Sequence, residues 1–141
     1  MHIAIHFLTA VALLAGSLVA SIVHAHGDVA PQAVDVSTLK PLGEKLLDEN
    51  PYRGDKEAIR VGDSAYGQNC ARCHGLQGIS GGMSPDLRKM DIDKETDKFY
   101  LAITLRGVTR NGAVYMPPFK GILPQEAIWA IRAYTDSRSK E

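Results

Sequence analysis

Cys70-Ala71-Arg72-Cys73-His74 is the stretch of sequence that decides both the fold and the chemistry of this protein. It is a CxxCH pattern, in which two thiols stand three positions apart and a histidine follows the second. The pattern is typical of c-type haem attachment, because the two thiols can add to the haem vinyl groups while the histidine reaches the iron. We therefore predict one haem c, bound covalently at Cys70 and Cys73, with His74 as an iron ligand.

Two other kinds of site use a CxxC pair, namely a zinc site and a redox-active dithiol. A zinc site needs about four ligands, but His26 is the only histidine besides His74 after residue 25, and no further cysteine exists. A thioredoxin-like dithiol would also need a βαβ context, and the surrounding pattern is helical. Haem attachment is the better interpretation, and a thiol-disulfide oxidoreductase is the alternative from another class.

The second iron ligand is expected from a methionine, because a thioether sulfur binds haem iron and raises its potential. Met83, Met90 and Met116 are the candidates outside the first residue. Met83 follows His74 by only nine residues, in a Gly-rich loop with little length to cross the haem ring. Met116 is followed by two prolines, whose fixed φ angles stiffen the loop that would hold the sulfur. We predict Met116 as the ligand, with an open iron site or another ligand as the alternative.

Hydrophobic spacing around the motif indicates helices rather than strands. Three helices are predicted, over 57–68, over 97–106 and from 124 to about 135. Thr96 is a candidate N-cap for the second of them, and its apolar face would contain Phe99, Ala102 and Ile103. No convincing strand alternation lies between the helices, so the predicted fold class is all-α. The preceding residues, 26–55, are polar and rich in proline, and we interpret them as an extension with room for one helical turn.

The first 25 residues contain no Asp, Glu, Lys or Arg and include a long apolar run, as a secretory signal does. Small residues at Val23 and Ala25 suit cleavage, so we predict a signal peptide over 1–25 and a periplasmic location. An uncleaved membrane anchor is the alternative, because Ile3 to Val23 is just long enough to span a bilayer. Sixteen basic and sixteen acidic residues balance in the 141-residue chain, so no nucleic acid partner is indicated.

Several further pieces of the sequence resemble a class I cytochrome c. They are Gly62 and Tyr66 before the motif, His74-Gly75 at its end, Pro85 and Leu87 in the next loop, Met116-Pro117-Pro118-Phe119, and the helix 128–134. The resemblance covers about Ile59 to Tyr134 and implies a class I cytochrome c fold for a domain over 56–141. It further implies His74 and Met116 as axial ligands, contact of the first and last helices at Gly62 and Tyr66, and the Pro85 carbonyl as the partner of His74. Without the resemblance, the residues around Pro85 are equally consistent with a carbonyl partner for His74 and with an ordinary turn.

A narrower resemblance is to the periplasmic cytochromes c that accept electrons from a pyrroloquinoline-quinone-dependent ethanol dehydrogenase. It rests on three segments, His26-Gly27-Asp28-Val29, Asn50-Pro51-Tyr52-Arg53 and the run 110–119. It implies an electron carrier and not an enzyme, with a quinoprotein alcohol dehydrogenase as donor and a terminal oxidase or another cytochrome as acceptor. The alternatives are a haem enzyme or gas sensor with an open axial site, and an anchored haem subunit of a membrane complex.

Charged and aromatic residues offer candidates for secondary roles. Two groups could orient partners around the haem edge, although charge runs are more often solvated surface: the basic Arg106, Arg110 and Lys120, and the acidic Asp91, Asp93, Glu95 and Asp97. Donors to the haem propionates could come from Tyr115, Trp129, Arg106, Arg110 and Lys120. Trp129 and Tyr134 are expected in the core rather than on an electron path.

Overall fold

A computed structural model describes residues 30–139, and the predicted signal segment lies outside them. The described chain is mainly helical, as the all-α class predicts, with helices α1 (Lys56–Asn69), α2 (Ala71–His74), α3 (Lys94–Arg106) and α4 (Gln125–Ser137). Single 3-10 turns occur at Leu76–Gly78 and Leu87–Lys89, and two short strands are β1 (Val108–Arg110) and β2 (Ala113–Met116). No helix in this range is long and apolar enough to cross a membrane.

Helices α1 and α4 pack against each other and form the centre of the core. Asp55 starts α1, because its carboxylate accepts hydrogen bonds from the backbone N–H groups of Glu57 and Ala58. Gly62 allows the close approach, since a Cβ at this position would collide with the carbonyl of Ala130. The Tyr66 and Tyr134 rings pack against each other at a tilt of 47°, with ring centroids 5.4 Å apart. The expected meeting of the first and last helices at Gly62 and Tyr66 is therefore confirmed.

Helix α3 begins earlier than the sequence pattern predicted. Asp93 caps it by accepting a hydrogen bond of 2.8 Å from the Thr96 backbone N–H, so Thr96 is not the N-cap. The residues that α3 buries also differ from the expected apolar face: they are Asp97, Tyr100, Leu101 and Thr104. Phe99 is 59% exposed. The two faces differ because Asp97 lies on the buried side of α3, where it forms ion pairs with the buried Arg132 and the partly exposed Arg53.

Strands β1 and β2 form an antiparallel hairpin, which the sequence analysis missed. Its turn is Asn111-Gly112, both with positive φ angles, as in a tight two-residue hairpin turn. The pairing continues beyond the strands, because Phe119 N–H donates to the Thr104 carbonyl at 3.1 Å. We call residues 104–120 the ribbon. Its strands are too short for an alternating pattern to be visible in the sequence.

Residues 30–55 pack onto the helical body without a helix of their own, so the expected helical turn is not found. Leu39 and Tyr52 are buried in the main core. Side chains of α4 hold the backbone of this extension: Gln125 donates to the carbonyls of Gly43 and Lys45, at 2.6 and 3.0 Å. Polar side chains of the helices thus replace the missing regular backbone pairing.

A buried cluster of two arginines and two aspartates joins the extension to α3 and α4. Asp97 accepts from Arg53 at 2.7 Å and from Arg132 at 3.0 Å, and both arginines also contact Asp136. The Asn50 backbone N–H donates to Asp97 at 2.9 Å. Asp97 and Arg132 are fully buried. Asp97 is therefore part of the interior and not of an exposed acidic run, which corrects the sequence interpretation.

Candidate functional site

The CxxCH motif lies at the junction of two helices. Helix α1 ends at Asn69, the Cys70 backbone N–H donates to the Tyr66 carbonyl at 2.8 Å, and the short helix α2 then carries the rest of the motif. Cys70 and Cys73 are free and partly buried. The helical turn holds the two sulfurs and the His74 ring on one compact piece of backbone, as attachment to one planar group requires.

His74 is oriented by the loop that follows it. Its Nδ1 lies 2.9 Å from the carbonyl oxygen of Pro85. A carbonyl can only accept, so Nδ1 carries the proton and donates, which leaves the Nε2 lone pair available to a metal. The structure therefore confirms the Pro85 carbonyl as the partner of His74.

The loop between His74 and Pro85 is tied at both ends. Gly75 reverses the chain with φ +80°, and a Cβ there would collide with the Ile79 carbonyl. The Tyr66 hydroxyl donates to the Gly75 carbonyl at 2.7 Å, which links the loop to α1. Ser80 bridges the loop by donating to the Ser84 carbonyl. These contacts explain how a loop with several glycines holds the Pro85 carbonyl in place.

The three candidate methionines lie in different environments. Met116 ends β2 and is partly buried against the core, as is Met90. Met83 is 83% exposed in the Gly-rich loop. The ribbon is narrow beside Met116, because a Cβ on Gly107 would stand 2.5 Å from the Met116 carbonyl oxygen. The backbone at Met116 is therefore packed closely against that of Gly107.

The register of the hairpin changes just before Met116. Val108 pairs with Met116 and Thr109 with Val114, so Tyr115 is an extra residue on β2. A bulge of this kind redirects the side chains that follow it. The bulge therefore affects the direction of the Met116 side chain. Nothing in the sequence pattern predicts the bulge.

The surface around these residues fits a large apolar group. Six of the nine large exposed apolar side chains in the described part of the chain lie in the loop after His74, on α3 and on β2: Leu76, Ile79, Met83, Phe99, Val114 and Tyr115. The other three are Leu46, Ile92 and Ile122. Leu76, Ile79 and Met83 follow His74 within nine residues, and Val114 and Tyr115 directly precede Met116, so apolar side chains are exposed close in the chain to both predicted iron ligands. Trp129 is fully buried, and its indole N–H has no acceptor among the described residues. A haem, with an apolar ring and anionic propionates, offers both apolar contact and acceptors.

The thiol chemistry argues against the oxidoreductase alternative. Burial, and after it the charge of Cys73, raises the pKa of the Cys70 thiol to about 12. A redox-active dithiol needs the opposite shift, because the thiolate is the reactive form. The raised pKa makes Cys70 a poor attacking thiolate for disulfide exchange.

A haem-binding CxxCH motif between packed helices, with its histidine held by a backbone carbonyl, defines a c-type cytochrome. Residues 57–134 match the family model described as cytochrome c oxidase, cbb3-type, subunit III. The chain is 48% identical to cytochrome c550 of Pseudomonas aeruginosa over 129 residues, 89% of each protein. No solved structure gives a significant match. The chain belongs to the cytochrome c family.

Two more distant relatives show where similar domains occur. Quinohemoprotein alcohol dehydrogenase ADH IIB of Pseudomonas putida is 35% identical over 64% of this chain and 13% of the enzyme. Cytochrome c6 of Anabaena variabilis is 34% identical over 52% of this chain and 83% of that protein. Members of the family bind covalently attached haem c, and with its single CxxCH motif this protein is a monohaem cytochrome c electron carrier.

Proposed function

We propose that Cys70 and Cys73 hold the haem through two thioether bonds, and that His74 and Met116 are its two axial ligands. The observation that carries this proposal is the 2.9 Å hydrogen bond from His74 Nδ1 to the Pro85 carbonyl, because it leaves Nε2 as the metal-binding nitrogen. The bound iron supplies reversible one-electron chemistry. With His74 and Met116 both bound to the iron, no position would be left there for a substrate, and the protein would transfer electrons without catalysing a reaction.

The residues around the site keep the two ligands in place in both oxidation states. The Pro85 carbonyl holds the His74 ring, and Tyr66 holds the Gly75 backbone. Pro117 and Pro118 restrict the backbone after Met116. A site with little freedom to rearrange needs little reorganisation when an electron arrives, which favours rapid transfer.

The donor that we propose is a quinoprotein alcohol dehydrogenase in the periplasm, and the acceptor is a terminal oxidase or another cytochrome of the respiratory chain. The narrower resemblance in the sequence supports this donor. So does the similarity to two proteins of Pseudomonas putida that are named quinohemoprotein alcohol dehydrogenases, a name that describes an alcohol dehydrogenase with a haem. Residues 1–25 would direct export and would then be removed.

Replacing Met116 tests the ligand assignment. In Met116→Ala the haem should stay attached, while the iron becomes high spin, binds carbon monoxide and has a lower reduction potential, because a thioether ligand raises it. Visible spectra of both oxidation states and a potentiometric titration measure these changes. Met83→Ala is the matched control, since Met83 is exposed, and its spectrum should equal that of the unmodified protein. An unchanged Met116→Ala spectrum would mean that another residue is the ligand.

Rapid mixing with a purified quinoprotein alcohol dehydrogenase tests the donor. The enzyme, reduced by ethanol, should reduce the oxidised cytochrome much faster than the enzyme without ethanol does. If the cytochrome is reduced by dithionite but not by the enzyme, the electron carrier assignment stands and the proposed donor is wrong.

A further inference from the structure

Asp86 and Arg88 form an ion pair directly beside the peptide group that holds His74. Pro85 supplies the carbonyl that accepts from His74 Nδ1, and Asp86 is the next residue. Arg88 donates to both carboxylate oxygens of Asp86, from Nε at 3.1 Å and from Nη2 at 2.8 Å. Such a two-point contact fixes the relative position of the two side chains. The Asp86 side chain is only 13% exposed and that of Arg88 17%, so solvent screens this pair less than it screens a fully exposed one.

The same pair closes the base of the loop that follows the CxxCH motif. The Asp86 carboxylate also accepts from the Arg88 backbone N–H at 3.1 Å, which starts the 3-10 turn Leu87–Lys89. The Arg88 side chain reaches back over Gly78, because a Cβ on Gly78 would stand 2.9 Å from Arg88 Cγ. The pair therefore joins the beginning of the loop to the segment that contains the Pro85 carbonyl.

The charge of Asp86 reaches the residues around the motif. Asp86 is the single acid in residues 75–89. Its hydrogen bonds with the Arg88 side chain, above all, lower the pKa of the Asp86 carboxyl to about 2, so the carboxylate is ionised at neutral pH. Burial, above all, raises the pKa of Tyr66, and the negative charge of Asp86 contributes to this rise. The Asp86 carboxylate thus lies within electrostatic reach of the residues that position His74.

A charge beside the hydrogen-bond partner of an iron ligand changes the reduction potential. A more negative acceptor strengthens the hydrogen bond from His74 and makes its imidazole a stronger electron donor, which favours the oxidised state. A negative charge close to the haem favours that state directly as well. Asp86 alone would therefore lower the potential, and Arg88, which has the opposite charge, would raise it.

We propose that the Asp86–Arg88 pair positions the Pro85 carbonyl against His74 and sets the reduction potential of the haem through the balance of its two charges. This role rests on the proposed function, because it requires His74 to be an iron ligand. Asp86 and Arg88 are positioning residues, since they act through the Pro85 carbonyl. The potential is kept constant because the two charges that adjust it hold each other in place.

Removing one charge at a time from the holoprotein tests this balance. Arg88→Gln leaves the Asp86 carboxylate uncompensated and should lower the potential, whereas Asp86→Asn should raise it. Each substitution should change the equilibrium constant for electron exchange with a reference cytochrome about threefold, which is about 28 mV at about 59 mV per tenfold change. The double variant should lie near the original potential. A pair that only held the loop would shift both single variants in the same direction.

Arg88→Lys separates the charge of the pair from its geometry. Lysine restores the positive charge but not the two-point contact, so the potential should return towards the original value. The His74 Nδ1 proton can be followed by nuclear magnetic resonance in the reduced holoprotein. It should exchange with water faster in Arg88→Lys and in Arg88→Gln than in the original protein, because the Pro85 carbonyl is held less firmly.

The Glu57–Arg60 pair on α1 is the matched control. Arg60 donates to both carboxylate oxygens of Glu57, as Arg88 does to Asp86. Cys70 lies 13 residues after Glu57, which is roughly 20 Å along the helix axis. Glu57→Gln and Arg60→Gln should therefore leave both the potential and the exchange of the His74 proton unchanged.

Four results would overturn the proposal. They are potential shifts of the same size in the control variants, shifts of Asp86→Asn and Arg88→Gln in one direction, no shift in either of them, and unchanged exchange of the His74 proton in both Arg88 variants. Failure of the proposed function gives a different result, because the visible spectrum of the unmodified holoprotein would then not be that of a histidine-ligated haem.

Discussion

Gly62 shows how a single residue decides the packing of two helices. Its hydrogen atom faces the Ala130 carbonyl, where no methyl group fits. Gly67, five positions further along α1, has no neighbouring atom within 4 Å of a Cβ placed there. The same helix thus contains one glycine needed for contact and one that only weakens the helix.

The two glycines should respond oppositely to alanine. Gly62→Ala should lower the free energy of unfolding by about 1–3 kcal/mol, because the helices must separate to admit the methyl group. Gly67→Ala should raise it by about 0.5–1 kcal/mol through helix propensity. Urea unfolding of the holoprotein, followed by far-ultraviolet circular dichroism, measures both. A Gly62→Ala protein as stable as Gly67→Ala would contradict the close contact of α1 and α4.

At the scale of elements, the extension and α3 depend on the buried Arg–Asp cluster. Arg53 is the member contributed by the extension, and its side chain is 28% exposed. Removing it leaves Arg132 as the one cation that pairs with both Asp97 and Asp136 in this cluster, so two carboxylates share one positive charge. Loss of one member of a buried ion pair is costly because the remaining charge is poorly compensated.

Arg53→Met should therefore destabilise the protein by about 1–3 kcal/mol, a value reduced from that of a fully buried pair because of the partial exposure. Hydrogen exchange should also become faster in residues 30–55 than in α1 or α4. Arg60→Met is the control, since Arg60 pairs with Glu57 on the surface, and its stability should not change measurably. Equal effects of the two substitutions would exclude a special role for the cluster.

For the whole molecule, buried tyrosines predict how stability responds to alkali. Burial, and after it the charge of Glu126, raises the pKa of Tyr52 to about 12, and burial also raises the pKa values of Tyr66 and Tyr100. The ordinary tyrosine pKa is about 10, so above that pH the unfolded chain loses protons that the folded one keeps. Their stabilising contribution is complete below pH 10 and disappears as the pH rises through the raised values.

The free energy of unfolding should consequently fall between pH 10 and pH 12, by up to about 1.4 kcal/mol per pH unit for each buried tyrosine. Urea unfolding at several pH values measures the slope, and Tyr52→Phe should make it shallower. Absorbance of tyrosinate should rise together with the loss of helix. Ionisation of these tyrosines near pH 10 with the helices intact would contradict their burial.

The sequence by itself determined the cofactor, the helical class and the contact of the first and last helices. The cofactor and the helical class rest on short-range regularities, namely the spacing of Cys70, Cys73 and His74 and the helical period of the apolar residues. The contact at Gly62 and Tyr66 was implied by the resemblance to class I cytochromes c. Each of these patterns lies within a short stretch of the chain. It can therefore be recognised without knowledge of the tertiary contacts.

Only the tertiary structure decided the hairpin, the start of α3, the burial of Asp97 and the path of the extension. The sequence pattern placed Asp97 in an exposed acidic run. Asp97 is buried because it pairs in the interior with Arg53 and Arg132, which are 44 and 35 residues away in the chain. The hairpin bulge at Tyr115 and the bonds from Gln125 to the extension likewise join distant segments. Their stability comes from non-local pairing, which local propensity and periodicity do not encode.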